Sequence, residues 1–103
     1  MADFEILFSE GESKGIFSLY APKEGHDTPV KSGEMTVSKA GESTWIIDHT
    51  GVDDAMKGTG AAVALVKRSV EIARERGLKI IPLCPFAKVQ FQRYSEYHDV
   101  LKG

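Results

Sequence analysis

Lys57-Gly58-Thr59-Gly60-Ala61-Ala62 sets two glycines at the mouth of an amphipathic run. A helix start carries N–H groups without intrahelical partners and a partial positive charge. Glycines there strip away side chains, so phosphate oxygens can approach the backbone itself. The segment reads as a pyrophosphate cradle, with Lys57 adding charge at its rim; the alternative is an ordinary flexible turn before a helix. Cys84, the only cysteine, ends an apolar run just before Pro85 and a second helical pattern. A thiolate is stabilised at such a helix start, so Cys84 reads as a reactive thiol or as a small buried hydrophobe. His49 follows an apolar strand-like run. An imidazole titrates near neutrality, so His49 suits a proton acceptor, or else a structural histidine bonding a neighbouring loop.

Two strands and two helices must bring these residues together. Over residues 61–76, apolar side chains fall at Ala62, Val63, Leu65, Val66, Val70 and Ala73, and charges at Lys67, Arg68, Glu71, Arg74 and Glu75. This spacing predicts a helix with one buried stripe. Lys67 and Glu71, one turn apart, are expected to face each other on its solvent side. Gly77 suits the residue just past the helix end. Residues 78–84 form an expected strand, with Pro82 at a sheet edge or a splay. Pro85 suits the first turn of a second helix carrying Phe86, Val89, Gln90, Arg93 and Tyr94. Residues 95–99 read as a turn or a short final helix.

Upstream the pattern changes to that of strands. These are expected over residues 4–9, 16–21, 34–39 and 44–50, with a polar turn at 10–15, another at Gly41-Glu42, and a loop over 22–29. Residues 44–50 are apolar on both faces near their middle, as suits a central strand. The expected fold is α+β: a mostly antiparallel N-terminal meander, then β-α-β-α whose crossover makes two strands parallel. Ligands of α/β sheets gather at the carboxyl edge of the strands, which is where the glycine turn falls.

The 103 residues suit a single domain spanning 1–103 with a real core. Apolar content of 42%, charge of 27% and a net charge of −2 fit a soluble globular protein with no general attraction to nucleic acid. The apolar runs are too short to span a membrane, and Met1-Ala2-Asp3-Phe4-Glu5 lacks a basic n-region, so a cytoplasmic location is expected. With one cysteine no internal disulfide can form, and His26, His49 and His98 show no metal-ligand spacing, so no metal is expected. A monomer, or a weak homodimer through exposed strands, is compatible with this pattern.

In combination these motifs resemble the GNAT acyltransferase superfamily, whose signature is Arg/Gln-x-x-Gly-x-Gly/Ala after a central strand. Lys57-Gly58-Thr59-Gly60-Ala61-Ala62 fits it, with Lys at the first position and Ala at the last. The more specific resemblance is to a very small GNAT-like family that lacks the usual N-terminal helices. It rests on Ile47-Asp48-His49-Thr50 before the glycine turn, Ile81-Pro82-Leu83-Cys84-Pro85-Phe86 after the helix, and the tail Tyr94-Ser95-Glu96-Tyr97-His98-Asp99. The resemblance is clearest from Gly33 onward. It implies a GNAT-like fold with a splayed strand pair and acetyl-CoA as co-substrate. The amides of Gly58, Thr59, Gly60, Ala61 and Ala62 would hold the pyrophosphate, with Lys57 at the rim. Residues 48–52, including Thr50 and Val52, would pair with the pantetheine arm. Cys84 and Phe86 would stand at the slot for the thioester, although Phe86 is most simply core.

Acetyl transfer to an amine requires a neutral amine, a polarised thioester carbonyl and an accepted thiolate. His49 is the better base; Asp48, expected on the opposite strand face, more simply fixes a loop or orients the histidine. Larger members of the superfamily often protonate the thiolate with a tyrosine. Counted along the matching segment, that position falls on Phe91, which has no proton to give, and Tyr94 and Tyr97 are most simply core. Cys84 would either take the acetyl group transiently or line the slot, direct transfer in a ternary complex being the expected course. The leading reading is an N-acetyltransferase acting on a primary amine of a protein or a small molecule. A non-catalytic acyl-CoA-binding or regulatory module is the alternative. A general phosphate or nucleotide binder is disfavoured, because no Walker-type Gly-Lys-Ser/Thr end is present.

Overall fold

The alternating pattern of the N-terminal half builds an antiparallel meander, and the 3.6-residue pattern of the second half builds the layer that covers it. A computed structural model describes residues 4–102; Gly103 and the Met1-Ala2-Asp3 part of the N-terminal reading lie outside the described residues. The strands are β1 (Glu5–Glu10), β2 (Lys14–Ala21), β3 (Val30–Lys39), β4 (Thr44–Val52) and β5 (Lys79–Pro82). The helices are α1 (Ala61–Arg76) and α2 (Pro85–Arg93), with 3-10 turns at Asp54–Met56 and Ser95–Val100. Spatial order in the sheet is β1-β2-β3-β4-β5; the first three pairings are antiparallel, and β4/β5 is parallel. This is the expected α+β architecture, with α1 joining the two parallel strands.

Several boundaries differ from the expected ones for physical reasons. β3 starts at Val30 rather than at residue 34, because its first residues pair with the end of β2 after a register shift at Leu19/Tyr20. β5 starts at Lys79 because Leu78 is still tied to α1, its N–H donating to the Ala73 carbonyl at 2.8 Å. It stops at Pro82, and Cys84 caps α2 instead of ending the strand. On α1 it is Arg68, not Lys67, that reaches Glu71, at 3.2 Å.

One face of the sheet meets α1. Phe17, Leu19, Met35, Val37, Ile47 and Ile80 are fully buried against Leu65, Val66, Val70 and Ala73 of α1 and Ala87 and Phe91 of α2. Full burial of each large aliphatic side chain is worth about 1.5–3 kcal/mol, so this interface dominates the stability. Phe8 stacks on Phe17 at 4.3 Å, and Phe17 meets Trp45 edge-on at 6.2 Å. Arg76, at the end of α1, closes this aromatic corner. Its guanidinium lies 5.7 Å from the Trp45 ring and donates to Glu10 at 2.9 Å, while Lys39 pairs with the same carboxylate at 2.7 Å. Arg74 grips both Asp99 carboxylate oxygens at 2.7 Å and ties α1 to the final turn. The chain end covers the outer side of β5, Lys102 N–H donating to the Ile80 carbonyl at 2.8 Å. No helix among the described residues is long and apolar enough to cross a membrane.

Candidate active site

The parallel ladder between β4 and β5 runs from Thr44/Lys79 to Ile47/Pro82 and ends there. Pro82 has no N–H to extend it, and the chain turns away, with Leu83 N–H donating back to Ile81 at 3.1 Å. Cys84 N–H then donates to the Ile47 carbonyl at 3.1 Å and closes the apex of the split. Beyond the apex β4 runs on to Val52, hydrogen-bonded to β3 on one side. Among the described residues no strand pairs with its other side, so the backbone of residues 48–52 is open toward the split.

A β-bulge decides which side chains face which way. Val37 pairs with Ile47 but Thr36 pairs with His49, so Asp48 is the extra residue. Its carboxylate accepts from the Ser38 hydroxyl on the face away from α1. His49, opposite Thr36, lies on that same outer face and is exposed. The expectation that Asp48 and His49 point to opposite faces is therefore corrected, because strict alternation fails at a bulge. The shift turns Thr50, opposite the buried Met35, toward the helix layer. The His49 ring lies over Gly51, where an added Cβ would come within 3.0 Å of Nε2. A shallow hollow of about 420 Å³ beside it is rimmed by Lys31, Glu34 and Asp53.

The glycine turn has the geometry of an anion cradle. Gly58 and Gly60 adopt φ of 80° and 88°, the left-handed region that side chains disfavour. A Cβ on either would meet nothing within 4 Å, so the space over the turn is open. Thr59 does not reach into that space: its hydroxyl donates to the Met56 carbonyl and accepts from Ala61 N–H at 3.3 Å. Ala64 N–H bonds the Gly60 carbonyl at 2.9 Å, while the amides of Gly58, Gly60, Ala62 and Val63 find no hydrogen-bond partner among the described residues. Lys57 pairs at 3.1 Å with Asp54, both largely exposed, a contact an incoming anion could displace.

Cradle and split share one cavity of about 480 Å³. It is lined by Thr50, Gly51 and Val52 of β4, Met56, Lys57, Gly58 and Gly60 of the turn, Ala61, Ala62 and Val63 of α1, and Phe86 of α2. Eight of the expected residues (Thr50, Val52, Lys57, Gly58, Gly60, Ala61, Ala62 and Phe86) thus line one space. Thr50 Oγ1 is buried there without a hydrogen-bond partner. Cys84 is buried at the apex and packs in the core cluster instead of lining the cavity. Phe91 is also core, 5.6 Å from Tyr97, which pairs with Tyr94 at 5.4 Å. Burial raises the Tyr97 hydroxyl above the ordinary tyrosine pKa. Sequence reasoning missed Met56 and Val63. Met56 had a signal, as a single large apolar residue within the polar stretch Asp53-Asp54-Ala55-Met56-Lys57. Among the described residues no three His, Cys, Asp or Glu side chains group as metal ligands.

Comparison with known proteins agrees with this geometry. Residues 20–100 match the family model described as GCN5-related N-acetyl-transferase. A solution structure from Staphylococcus aureus, of a GCN5-like protein described as a candidate N-acetyltransferase, is 35% identical with a TM-score of 0.65. The match covers 94% of this chain and 88% of that one. A ribosomal-protein-alanine N-acetyltransferase from Brucella melitensis biovar Abortus 2308 shares the fold, with 18% identity and a TM-score of 0.59 over 90% of this chain and 64% of that one. No curated protein sequence matches. With more than half of its length in the family match and a split sheet beside a glycine-capped helix, this chain belongs to the GCN5-related N-acetyltransferase family and is an acetyltransferase.

Proposed function

We propose that this protein transfers the acetyl group of acetyl-CoA directly to a primary amine within a ternary complex. The observation that carries the reading is the row of unpartnered amides at Gly58, Gly60, Ala62 and Val63, which opens on the same cavity as the split. Those donors, the partial positive charge of the α1 start and the Lys57 ammonium suit the pyrophosphate. The open β4 edge at residues 48–52 suits the amide groups of a pantetheine arm. Val52, Met56, Ala61, Val63 and Phe86 give the cavity an apolar wall that suits the thioester end of such a ligand. Acetyl-CoA supplies the activated acyl group; the protein supplies alignment and proton management.

His49 suits the acceptor side. It is exposed on the face away from α1, beside the Glu34 and Asp53 carboxylates of the outer hollow. An imidazole there can take the proton that an ammonium must lose before its nitrogen attacks. Lys31 pairs with Glu34 in this hollow, so the carboxylate of Asp53 is the group left to favour an incoming cation. A second reading, a non-catalytic acyl-CoA-binding module, draws on the burial of Phe91 and on a cavity that holds no tyrosine among the described residues.

Calorimetric titration with acetyl-CoA, followed by thiol release across a panel of primary amines, tests both readings. Saturable binding with amine-dependent release supports the enzyme. Binding with no release from any amine supports the module. No binding to acetyl-CoA overturns both.

A further inference from the structure

Both helices pack against the Phe17 face of the sheet, and the opposite face keeps exposed side chains. Strand register puts Leu7, Ile16, Thr36 and His49 on that opposite face, with the Asp48 carboxylate on the Ser38 hydroxyl. Leu7 is 52% exposed and Ile16 40%, so the core uses neither fully. A lone exposed apolar residue is ordinary. These two are diagonal neighbours across β1 and β2, and Ile16 stands in one cross-strand row with Thr36 and His49. Adjacent strands lie about 4.8 Å apart, so Ile16 is roughly 10 Å from His49 and Leu7 roughly 15 Å. Charge near His49 is unbalanced. Glu34 is paired with Lys31, but Asp48 meets only a hydroxyl, and Asp53 has no ion-pair partner among the described residues. The hollow there is shallow, and His49 and Asp53 are exposed. A small amine in it would keep most of its surface in water, whereas small-molecule sites bury most of their ligand.

We infer that the acceptor is a lysine within an extended polypeptide segment, laid across the uncovered face from His49 to Ile16 and Leu7. This rests on the acetyl-transfer reading above, with His49 on the acceptor side. At about 3.3 Å per residue, a segment spanning that distance sets apolar side chains roughly three to five residues from the lysine. Asp48 and Asp53 attract the ammonium. Gly51 and Val52 border both the outer hollow and the cavity, so the open edge of β4 is where the two meet. The flexible four-carbon stem of lysine lets its nitrogen pass that edge, a reach that the α-amine of a flat segment lacks. The ammonium gives one proton to His49, which returns it to solvent. The neutral nitrogen bonds the carbonyl carbon, and the C–S bond breaks with its electron pair on sulfur. The second proton of the nitrogen ends on that sulfur, giving the amide and free CoA.

Two probes test this with the wild-type protein and acetyl-CoA. One is a single lysine blocked at both ends, Nα-acetyl-lysine amide. The other is a library of end-blocked peptides with one central lysine and randomised flanks. By thiol release, kcat/KM on the library is expected to exceed that on the single residue by about tenfold or more. Sequencing of the acetylated peptides should show apolar residues enriched about three to five positions from the lysine, and acidic residues depleted. Replacing both apolar residues, Leu7→Thr with Ile16→Thr, keeps strand propensity and removes the apolar surface. That double variant should bring the ratio of the two kcat/KM values to within about twofold of one, with acetyl-CoA affinity unchanged by calorimetry. A single residue acetylated as well as the library, acetylated peptides with unselected flanks, or a folded double variant with the wild-type ratio would each overturn the inference. Failure to bind acetyl-CoA overturns the acyl-CoA reading instead. Binding without release from either probe overturns the enzyme reading, and this inference with it.

Discussion

Replacing Gly60 separates backbone strain from loss of an anion site. Gly60 sits at φ 88°, and a side chain there costs about 1–2 kcal/mol in the left-handed region. In a domain of this size that is a loss of roughly 5–15 °C in melting temperature. No steric penalty adds to it, because a Cβ would meet nothing within 4 Å. Gly25, at φ 85° with equally open surroundings, is the matched control in the β2–β3 loop. Gly25→Ala and Gly60→Ala should therefore lose similar stability, yet only the second should weaken acetyl-CoA binding. Gly60→Asp adds a carboxylate where phosphate belongs. Unit charges about 4 Å apart interact by about 4 kcal/mol at an effective dielectric of 20, and salt at the open mouth reduces this to about 2 kcal/mol. The expected affinity loss is about thirtyfold or more, measured by calorimetry well below the melting temperature. A folded Gly60→Asp protein that binds acetyl-CoA within about threefold of wild type would refute the cradle.

Glu10 should make stability fall in acid. Arg76 first, and then Lys39, hold its carboxyl below the ordinary value of 4.5. A lowered folded-state pKa stabilises the protein above that value, and the effect fades as pH falls through the folded pKa. Glu10→Gln should melt slightly below wild type at pH 7, by no more than about 1 kcal/mol. The difference should shrink as the pH falls below 4.5; a difference that grows in acid would contradict the assignment. Phe17→Ala empties the centre of the aromatic cluster and should cost about 3–5 kcal/mol, a large part of a typical domain's stability, visible as a lower urea midpoint. An unchanged midpoint would remove Phe17 from the core argument. His49→Gln should leave acetyl-CoA affinity intact and lower turnover about 10²–10⁴-fold; wild-type turnover would rule His49 out as the base.

Local patterns made much of the molecule readable. The apolar stripe with its flanking glycines marked α1 at its observed limits of Ala61 and Arg76, because helix period and caps are properties of neighbouring residues. Alternation marked all four meander strands, though not their ends. Gly58 and Gly60 announced a turn without side chains, and that chemistry is local too; the structure adds that both adopt positive φ.

What could not be read depends on partners distant in the chain. Whether Arg68 or Lys67 meets Glu71 is a matter of side-chain direction on the finished helix. The length of β5 is set where Pro82 runs out of donors opposite Ile47, at a point defined by β4. The bulge at Asp48 exists only in the register of β3 against β4, held by the Ser38 hydroxyl on its carboxylate. That one extra residue separates His49 from Thr50, sending the imidazole to the open face and turning Thr50 toward the helix layer. Sequence by itself determined the elements, the glycine turn before α1 and the residues available for chemistry. Tertiary structure alone decided which of them share a space, because strand register is a balance of contacts across the sheet that neither strand carries alone.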